Sequence, residues 1–211
     1  MTDNNRPEFV SPLFLDDDSI YTKIIKDITN GVFVAGDRLV TTKLSEKYNT
    51  SVNPIREALK QLQGEGFVTV SPNSGARVTQ FEYNTMRDVF EILQLLDPYL
   101  MEWFTLEHTK DDREKLKALL TEMEHIAEGD HVAYRHLDTT FHWLMYRQHY
   151  NKNAVELWRQ QRLVLEIMHA NLSISEARVE QSMAEHKAIL AALEDRDVDS
   201  KLEVLKKDIS S

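Results

Sequence analysis

The chain has 211 residues, 42% of them hydrophobic and 28% charged, which is ordinary for a globular protein of one large or two small domains. It contains no cysteine, so disulfide bonds and thiolate metal sites are excluded. No run of about 18 apolar residues predicts a membrane span, and the N-terminus lacks the basic flank and apolar core of a signal peptide. We therefore expect a cytoplasmic protein with no membrane partner.

The formal net charge of −10 at first argues against nucleic acid as a partner. The charge is unevenly distributed, however, because residues 1–80 sum to −1 and residues 81–211 to −9. The local potential matters more for binding than the total charge does. The N-terminal part can therefore carry a basic face, although the charge alone does not require one.

The N-terminal part shows the pattern of a small helical domain. Residues 1–15 are polar and interrupted by prolines, which predicts a flexible tail. Isoleucines at helical spacing then predict a helix that ends at Asn30-Gly31. A short helix, KLSEKY, is separated by a tight turn at 49–51 from a second helix at about 53–63.

Two short strands follow, FVTV and ARVTQF, joined by the turn SPNSG. This order of elements predicts a winged helix-turn-helix over residues 16–81, with a two-stranded wing. Residues 82–211 show only helical spacing and predict an antiparallel all-helical bundle. The fold class is therefore mainly α, with bundle helices at about 84–107, 111–127, 131–149, 153–172, 176–195 and 198–209.

In a helix-turn-helix the second helix enters the major groove, where base edges present a distinct pattern of donors and acceptors. Arg56 is the best candidate for contacting a base, because its planar guanidinium can pair bidentately with guanine. Gly75 suits a tight turn of the wing that needs a positive φ. The charges of a single helix more often form a solvated face, so these assignments depend on the whole pattern. The other residues expected at DNA are Arg38, Lys43, Lys47, Ser51, Asn53, Lys60, Asn73 and Arg77.

The stretch from GVFVAGDRL to PNSGARV resembles the DNA-binding domain of the GntR family of transcription regulators. The helices behind it resemble the FadR-type effector domain, called FCD. One position departs from the family: an arginine commonly follows the Ser or Thr that opens the recognition helix, and here it is Val52. The resemblance spans about residues 20–80 and is carried by Gly36, Arg38-Leu39, Leu44, Ser51, Pro54, Arg56-Glu57-Ala58-Leu59, Leu62, Glu65-Gly66 and Gly75.

The resemblance implies a regulator that binds a palindromic operator in double-stranded DNA as a homodimer. A small-molecule effector, bound in the helical domain, would change its affinity for that operator. The resemblance does not name the effector or the regulated genes.

Asp138 and His142 are four residues apart in a predicted helix, so both side chains can face the same neighbour. His186 lies on a later helix, and bundle cores commonly host metals held by facing helices. Spacing alone more often indicates a hydrogen-bonded core pair than a metal site. The FCD resemblance implies a divalent metal held by Asp138, His142 and His186, with Asp208 at the position of a final histidine. Carboxylate and imidazole ligands suit Zn, Ni, Fe or Mn.

FCD domains often carry an arginine in the first bundle helix, in the pattern E-x-R-x-x-x-E, where it can pair with an organic acid. Here Leu93 occupies the arginine position. An acidic effector would then need the metal or Arg178 as its positive partner. A more apolar effector is the alternative, in a pocket lined by Phe141, Trp143, Tyr146 and Trp158. Core packing of these aromatic residues is the simpler interpretation. The predicted effector site comprises Leu93, Phe141, Tyr146 and Arg178.

Two other functions remain open at this point. A metal-dependent hydrolase would use Asp138, His142 and His186 to activate water, although no general base or nucleophile is evident beside them. The other is a pure interaction module, in which the winged helix contacts protein instead of DNA. Salt-dependent binding to duplex DNA would argue against it. We favour a transcription regulator that is not an enzyme.

Overall fold

The computed structural model describes residue 13 and residues 18–71, 75–126, 130–169 and 175–195, without the side chains of Tyr83 and His169. Within these ranges the chain forms eight α-helices and one three-stranded antiparallel sheet. None of the helices described is long and apolar enough to cross a membrane. The predicted helix at 198–209, and with it Asp208, lies outside the described residues, as does Asn73.

The N-terminal module follows the predicted order of helices. The Ser19 side chain accepts a hydrogen bond from the Thr22 backbone N–H at 3.1 Å and starts the first helix. Asn49, with φ of 48°, turns the chain between the second and third helices. The module consists of α1 (Ile20–Thr29), β1 (Arg38–Leu39), α2 (Thr41–Lys47), α3 (Val52–Gly64), β2 (Val68–Ser71) and β3 (Gly75–Val78).

The sheet has one strand more than the predicted two-stranded wing. β1 pairs antiparallel with β3, Arg38 lies opposite Arg77, and the strand order is β1-β3-β2. Gly36 leads into this pairing with φ of +86° and donates its N–H to the Val78 carbonyl at 2.9 Å. The prediction treated this segment as a link, because a strand of two residues is too short to show alternating hydrophobicity.

The C-terminal part is the predicted helical bundle, within the described residues. Thr109 and Asp112 form a reciprocal capping box at the start of the second bundle helix, and Asp130 caps the third. The third helix ends at Tyr146, earlier than the predicted 149. The bundle helices are α4 (Tyr83–Glu107), α5 (Lys110–Glu124), α6 (His131–Tyr146), α7 (Lys152–His169) and α8 (Glu176–Asp195).

The two parts of the chain contact each other through α1 and α7. Residues 79–82 form the short connection between β3 and α4. On the DNA-binding side, Tyr21 of α1 donates a hydrogen bond to Glu65 Oε2, 2.5 Å away at the C-terminal cap of α3. The end of the recognition helix is therefore tied to the helix that packs against the bundle.

Candidate metal centre and nucleic-acid interface

The packing of α6 against α8 brings together the three predicted metal ligands. Asp138 and His142 lie one turn apart on α6, and His186 reaches them from α8. His142 is 7% exposed and His186 is fully buried. Their Nε2 atoms are 3.3 Å apart, and Asp138 Oδ1 lies 3.3 Å from His186 Nε2 and 3.9 Å from His142 Nε2.

These separations suit a small divalent cation. A metal bound at about 2.1 Å from nitrogen and oxygen ligands keeps those ligands about 3.0–3.4 Å apart. Two of the three observed separations fall in this range, and the third exceeds it by about half an ångström. One carboxylate and two imidazoles form a donor set that Zn, Ni, Fe and Mn accept. The residues present therefore fit the metal that the FCD domain implies, and Asp208 lies outside the described residues.

The protonation states in this cluster also suit metal binding. Burial lowers the pKa of His142 to about 3, which keeps its imidazole neutral and its nitrogen lone pair available. Burial alone would raise the pKa of Asp138, but Arg162 and the two imidazoles hold it well below its usual range. A neutral imidazole and an ionised carboxylate are the ligand forms that a metal requires.

Arg162 of α7 is a member of this cluster that the sequence did not predict. Its Nη2 contacts Asp138 Oδ2 and donates a hydrogen bond to Thr139 Oγ1 at 3.0 Å. Its guanidinium carbon lies 5.7 Å from the centre of the Trp158 ring. The ion pair joins helices whose contacting residues are 24 positions apart, so no local spacing could have indicated it.

A buried acid on α4 adjoins the same region. Trp158 Nε1 donates a hydrogen bond to Asp97 Oδ1 at 2.7 Å. Burial raises the pKa of Asp97 to about 7, although the positive charge of Arg162 opposes the rise. The cluster and Asp97 thus form a buried polar region shared by α4, α6, α7 and α8.

The predicted effector residues lie in different surroundings. Phe141 and Tyr146 are fully buried beside the imidazoles, with ring centroids 4.5 Å from His186 and 6.1 Å from His142, respectively. Leu93 is a buried apolar side chain on α4. Arg178 pairs with Glu185 Oε2 at 3.0 Å, and about a third of its side chain is exposed.

The recognition helix α3 buries one face and exposes the other. Ile55, Ala58, Leu59 and Leu62 pack inward. Ser51 caps its N-terminus without a side-chain hydrogen bond to the helix. The first backbone N–H groups of a helix are a favourable site for a phosphate. The exposed residues along α3 are Asn53, Pro54, Arg56, Glu57, Lys60, Gln61, Gln63 and Gly64.

The predicted DNA-contacting cations divide into two groups, which the sequence did not distinguish. Lys47, Lys60 and Arg77 already have partners: Asp27 at 3.2 Å, Glu57 at 2.9 Å and the Gly36 carbonyl at 2.8 Å, respectively. The second group makes no ion pair or hydrogen bond within the part of the chain that the structure describes. It consists of Arg38, Lys43 and Arg56.

The wing has the turn geometry that Gly75 predicted. Its φ is +72°, a conformation that glycine adopts without strain. Arg38 Nε lies 3.8 Å from the position that a Cβ at this glycine would take. The Arg38 side chain therefore lies beside Gly75, whereas Arg77 is directed to the Gly36 carbonyl.

A winged helix-turn-helix that precedes a helical bundle with a buried Asp/His/His cluster defines a ligand-responsive DNA-binding regulator. The chain belongs to the GntR family of bacterial regulatory proteins: residues 17–78 match "Bacterial regulatory proteins, gntR family" and residues 88–210 match the FCD domain. The predicted family and its function as a transcription regulator are therefore confirmed, whereas the hydrolase alternative gains no support.

The chain is similar to the uncharacterized HTH-type transcriptional regulator YdhC of Bacillus subtilis, with 26% identity covering 80% of this chain and 76% of the relative. It is 25% identical to the galactonate operon transcriptional repressor of Escherichia coli, over 87% of this chain and 89% of that one. Among solved structures, Escherichia coli McbR/YncC matches with a TM-score of 0.74 at 20% identity, over 90% of this chain and 92% of that one. The last comparison supports the fold alone.

Proposed function

We propose that this regulator binds operator DNA as a homodimer and senses an effector next to a divalent metal held by Asp138, His142 and His186. The observation that carries the metal proposal is the convergence of one carboxylate and two buried imidazoles whose ligand atoms lie within 4.8 Å of one another. The metal would supply a positive charge and an open coordination position for the effector. Asp208 is our candidate for a further ligand.

DNA binding is assigned to α3 and the wing. Arg56 is our candidate for contacting a base, whereas Arg38, Lys43 and the N-terminus of α3 at Ser51 would contact phosphates. Asn53 and Asn73 remain further candidates, and Lys47, Lys60 and Arg77 would first have to share or exchange their present partners. A homodimer would place two copies of α3 on the two halves of a palindromic operator.

The metal proposal is tested by elemental mass spectrometry on untagged protein purified without chelator. We expect about one metal per chain in the wild type and much less in His142→Ala. His136→Ala is the matched control, because it removes a half-buried histidine from the same helix and should leave the metal content unchanged. Wild-type protein that stays metal-free after incubation with Zn, Ni or Mn would contradict the proposal.

The DNA proposal is tested by selecting duplexes from a random pool with the purified protein. We expect a palindromic consensus, with two half-sites about one helical turn apart or a multiple of that. The most strongly selected duplex is then titrated with the protein at several salt concentrations. Its binding affinity should fall steeply as the salt concentration rises. Recovery of sequences without two-fold symmetry would contradict the proposed homodimer.

A further inference from the structure

Val52, the first residue of the recognition helix α3, lies outside the hydrophobic core. Its side chain is partly exposed and, among the residues that the structure describes, is not one of those packed against the core. Ile55, three residues later, is fully buried. Valine is also a weak helix former, because its branched Cβ restricts the side chain against the preceding turn. Neither core packing nor helix propensity therefore explains a valine at this position.

The position of Val52 on α3 places it next to the candidate base contact. Residues near the N-terminus of a recognition helix are the ones that reach base edges in the major groove. Val52 precedes Arg56 by four residues, so the two side chains lie on the same side of the helix. A rise of 1.5 Å per residue separates them by about 6 Å along the helix axis, or about two base-pair steps. Val52 and Arg56 can therefore contact neighbouring base pairs of one half-site.

The chemistry of the valine side chain restricts which base it can contact favourably. Ser51 and Asn53, on either side of it, are exposed and can hydrogen-bond to polar base edges, whereas Val52 cannot. Thymine is the base that presents an apolar group in the major groove, its 5-methyl group. Against any other edge, the valine would remove water from donors and acceptors without replacing their hydrogen bonds.

From these observations we infer that Val52 is a specificity-determining residue, which packs against the 5-methyl group of one thymine in each operator half-site. This inference rests on the proposed function, because it requires α3 to lie in the major groove of a palindromic operator. It adds a second base contact to that of Arg56, of a different chemical kind. The arginine reads hydrogen-bonding groups, and the valine reads a methyl group.

The test removes the thymine methyl group from the DNA without changing the base pairing. In the most strongly selected duplex, each thymine is replaced by uracil, one symmetric pair of positions at a time, since uracil lacks only the methyl group. Fluorescence anisotropy then compares the affinities of the full-length wild type. At one position the affinity should fall by about fourfold for each methyl group removed. An operator in which no uracil substitution lowers the affinity overturns the inference.

The Val52→Ala variant then assigns that dependence to the valine. It lacks the two valine methyl groups and should bind the thymine and uracil duplexes with nearly equal affinity. Val132→Ala, the same substitution at an exposed valine of α6, is the matched control and should keep the wild-type dependence. The double-mutant cycle isolates the contact between the two partners. A methyl dependence that persists in Val52→Ala belongs to another residue and contradicts the inference.

Two further measurements separate a role in specificity from a role in folding. The thermal midpoint of Val52→Ala should not fall, because no core contact is lost and alanine is the better helix former. A fall of several degrees would assign the valine to the fold instead. Val52→Arg should select guanine in place of the sensitive thymine, and an unchanged preference for thymine would count against the inference. A wild type that selects no DNA sequence contradicts the proposed function, whereas a selected operator without this methyl dependence contradicts only the role of Val52.

Discussion

Arg159 on α7 donates a hydrogen bond from Nη1 to the backbone carbonyl of Leu13, which is 3.0 Å away and 146 residues earlier in the chain. The same arginine is only 6% exposed and lies one helical turn from Arg162. One side of α7 therefore contacts the candidate effector site, while another contacts the N-terminal part of the chain. This arrangement makes α7 a direct contact between the two domains, in addition to the connection at residues 79–82.

We expect Arg159→Ala to lower the free energy of unfolding by about 1–3 kcal/mol, because it removes a buried charged donor together with its hydrogen bonds to the Leu13 carbonyl and to Glu156. It should also reduce the change in operator affinity that a bound effector causes. Chemical denaturation and fluorescence anisotropy, with and without the effector, measure the two effects. Arg147→Ala, which removes an exposed arginine, is the control. Unchanged stability and an unchanged effector response would show that the contact between Arg159 and Leu13 neither stabilises the fold nor couples the two domains.

Arg56 and Lys60 lie on the same exposed side of α3 but differ in their partners. We expect Arg56→Ala to weaken operator binding by roughly 1–3 kcal/mol. Lys60→Ala should cost less, because Glu57 already shares the lysine charge at 2.9 Å. Anisotropy titrations on the selected operator compare the two variants. Equal losses, or a larger loss for Lys60→Ala, would contradict the distinction between paired and unpaired cations.

Asp97 should make stability depend on pH. Its pKa is raised by burial to about 7 in the folded chain, against about 4 in an unfolded one. Between these values the folded state binds more protons, so the free energy of unfolding falls as pH rises from about 4 to about 7. Asp97→Asn preserves an acceptor for Trp158 and cannot ionise.

Metal-free wild type should therefore lose about 2 kcal/mol relative to Asp97→Asn between pH 5 and pH 8. Urea unfolding of both proteins at each pH measures their free energies of unfolding. The difference between the two proteins at one pH removes the contributions of the other titrating groups, which both share. A difference that does not change with pH would mean that Asp97 titrates normally.

Two glycines should respond oppositely to the same substitution. Gly36 has φ of +86° at the entrance to β1, so Gly36→Ala should destabilise the fold by about 1–2 kcal/mol. Its new Cβ would also approach Gln80 Nε2 to 2.6 Å, which requires that side chain to move. Gly64 lies in α3 with nothing within 4 Å of an added Cβ, so Gly64→Ala should stabilise by about 0.5–1 kcal/mol. Thermal unfolding of the two variants decides this, and a stabilised Gly36→Ala would contradict the assigned strain.

The sequence by itself determined the order and type of most described elements, because helical spacing, capping residues and turn glycines are local properties. It also predicted that Asp138 and His142 share one face of a helix, since residues four apart always do. The family was recognisable for the same reason: its DNA-binding motif is a continuous stretch of chain. The sequence did not predict strand β1, because a segment of two residues is too short to show alternating hydrophobicity. Only its pairing with β3 identifies it as a strand.

Only the tertiary structure decided which distant side chains meet. The packing of α6 against α8 brings His186 to within 3.3 Å of His142, although 44 residues separate them. The placement of α7 adds Arg162 to Asp138 and ties Arg159 to Leu13. Such contacts depend on how helices pack, and many packings satisfy the same hydrophobic spacing. The charge beside the candidate metal centre therefore follows from the fold and not from any local pattern.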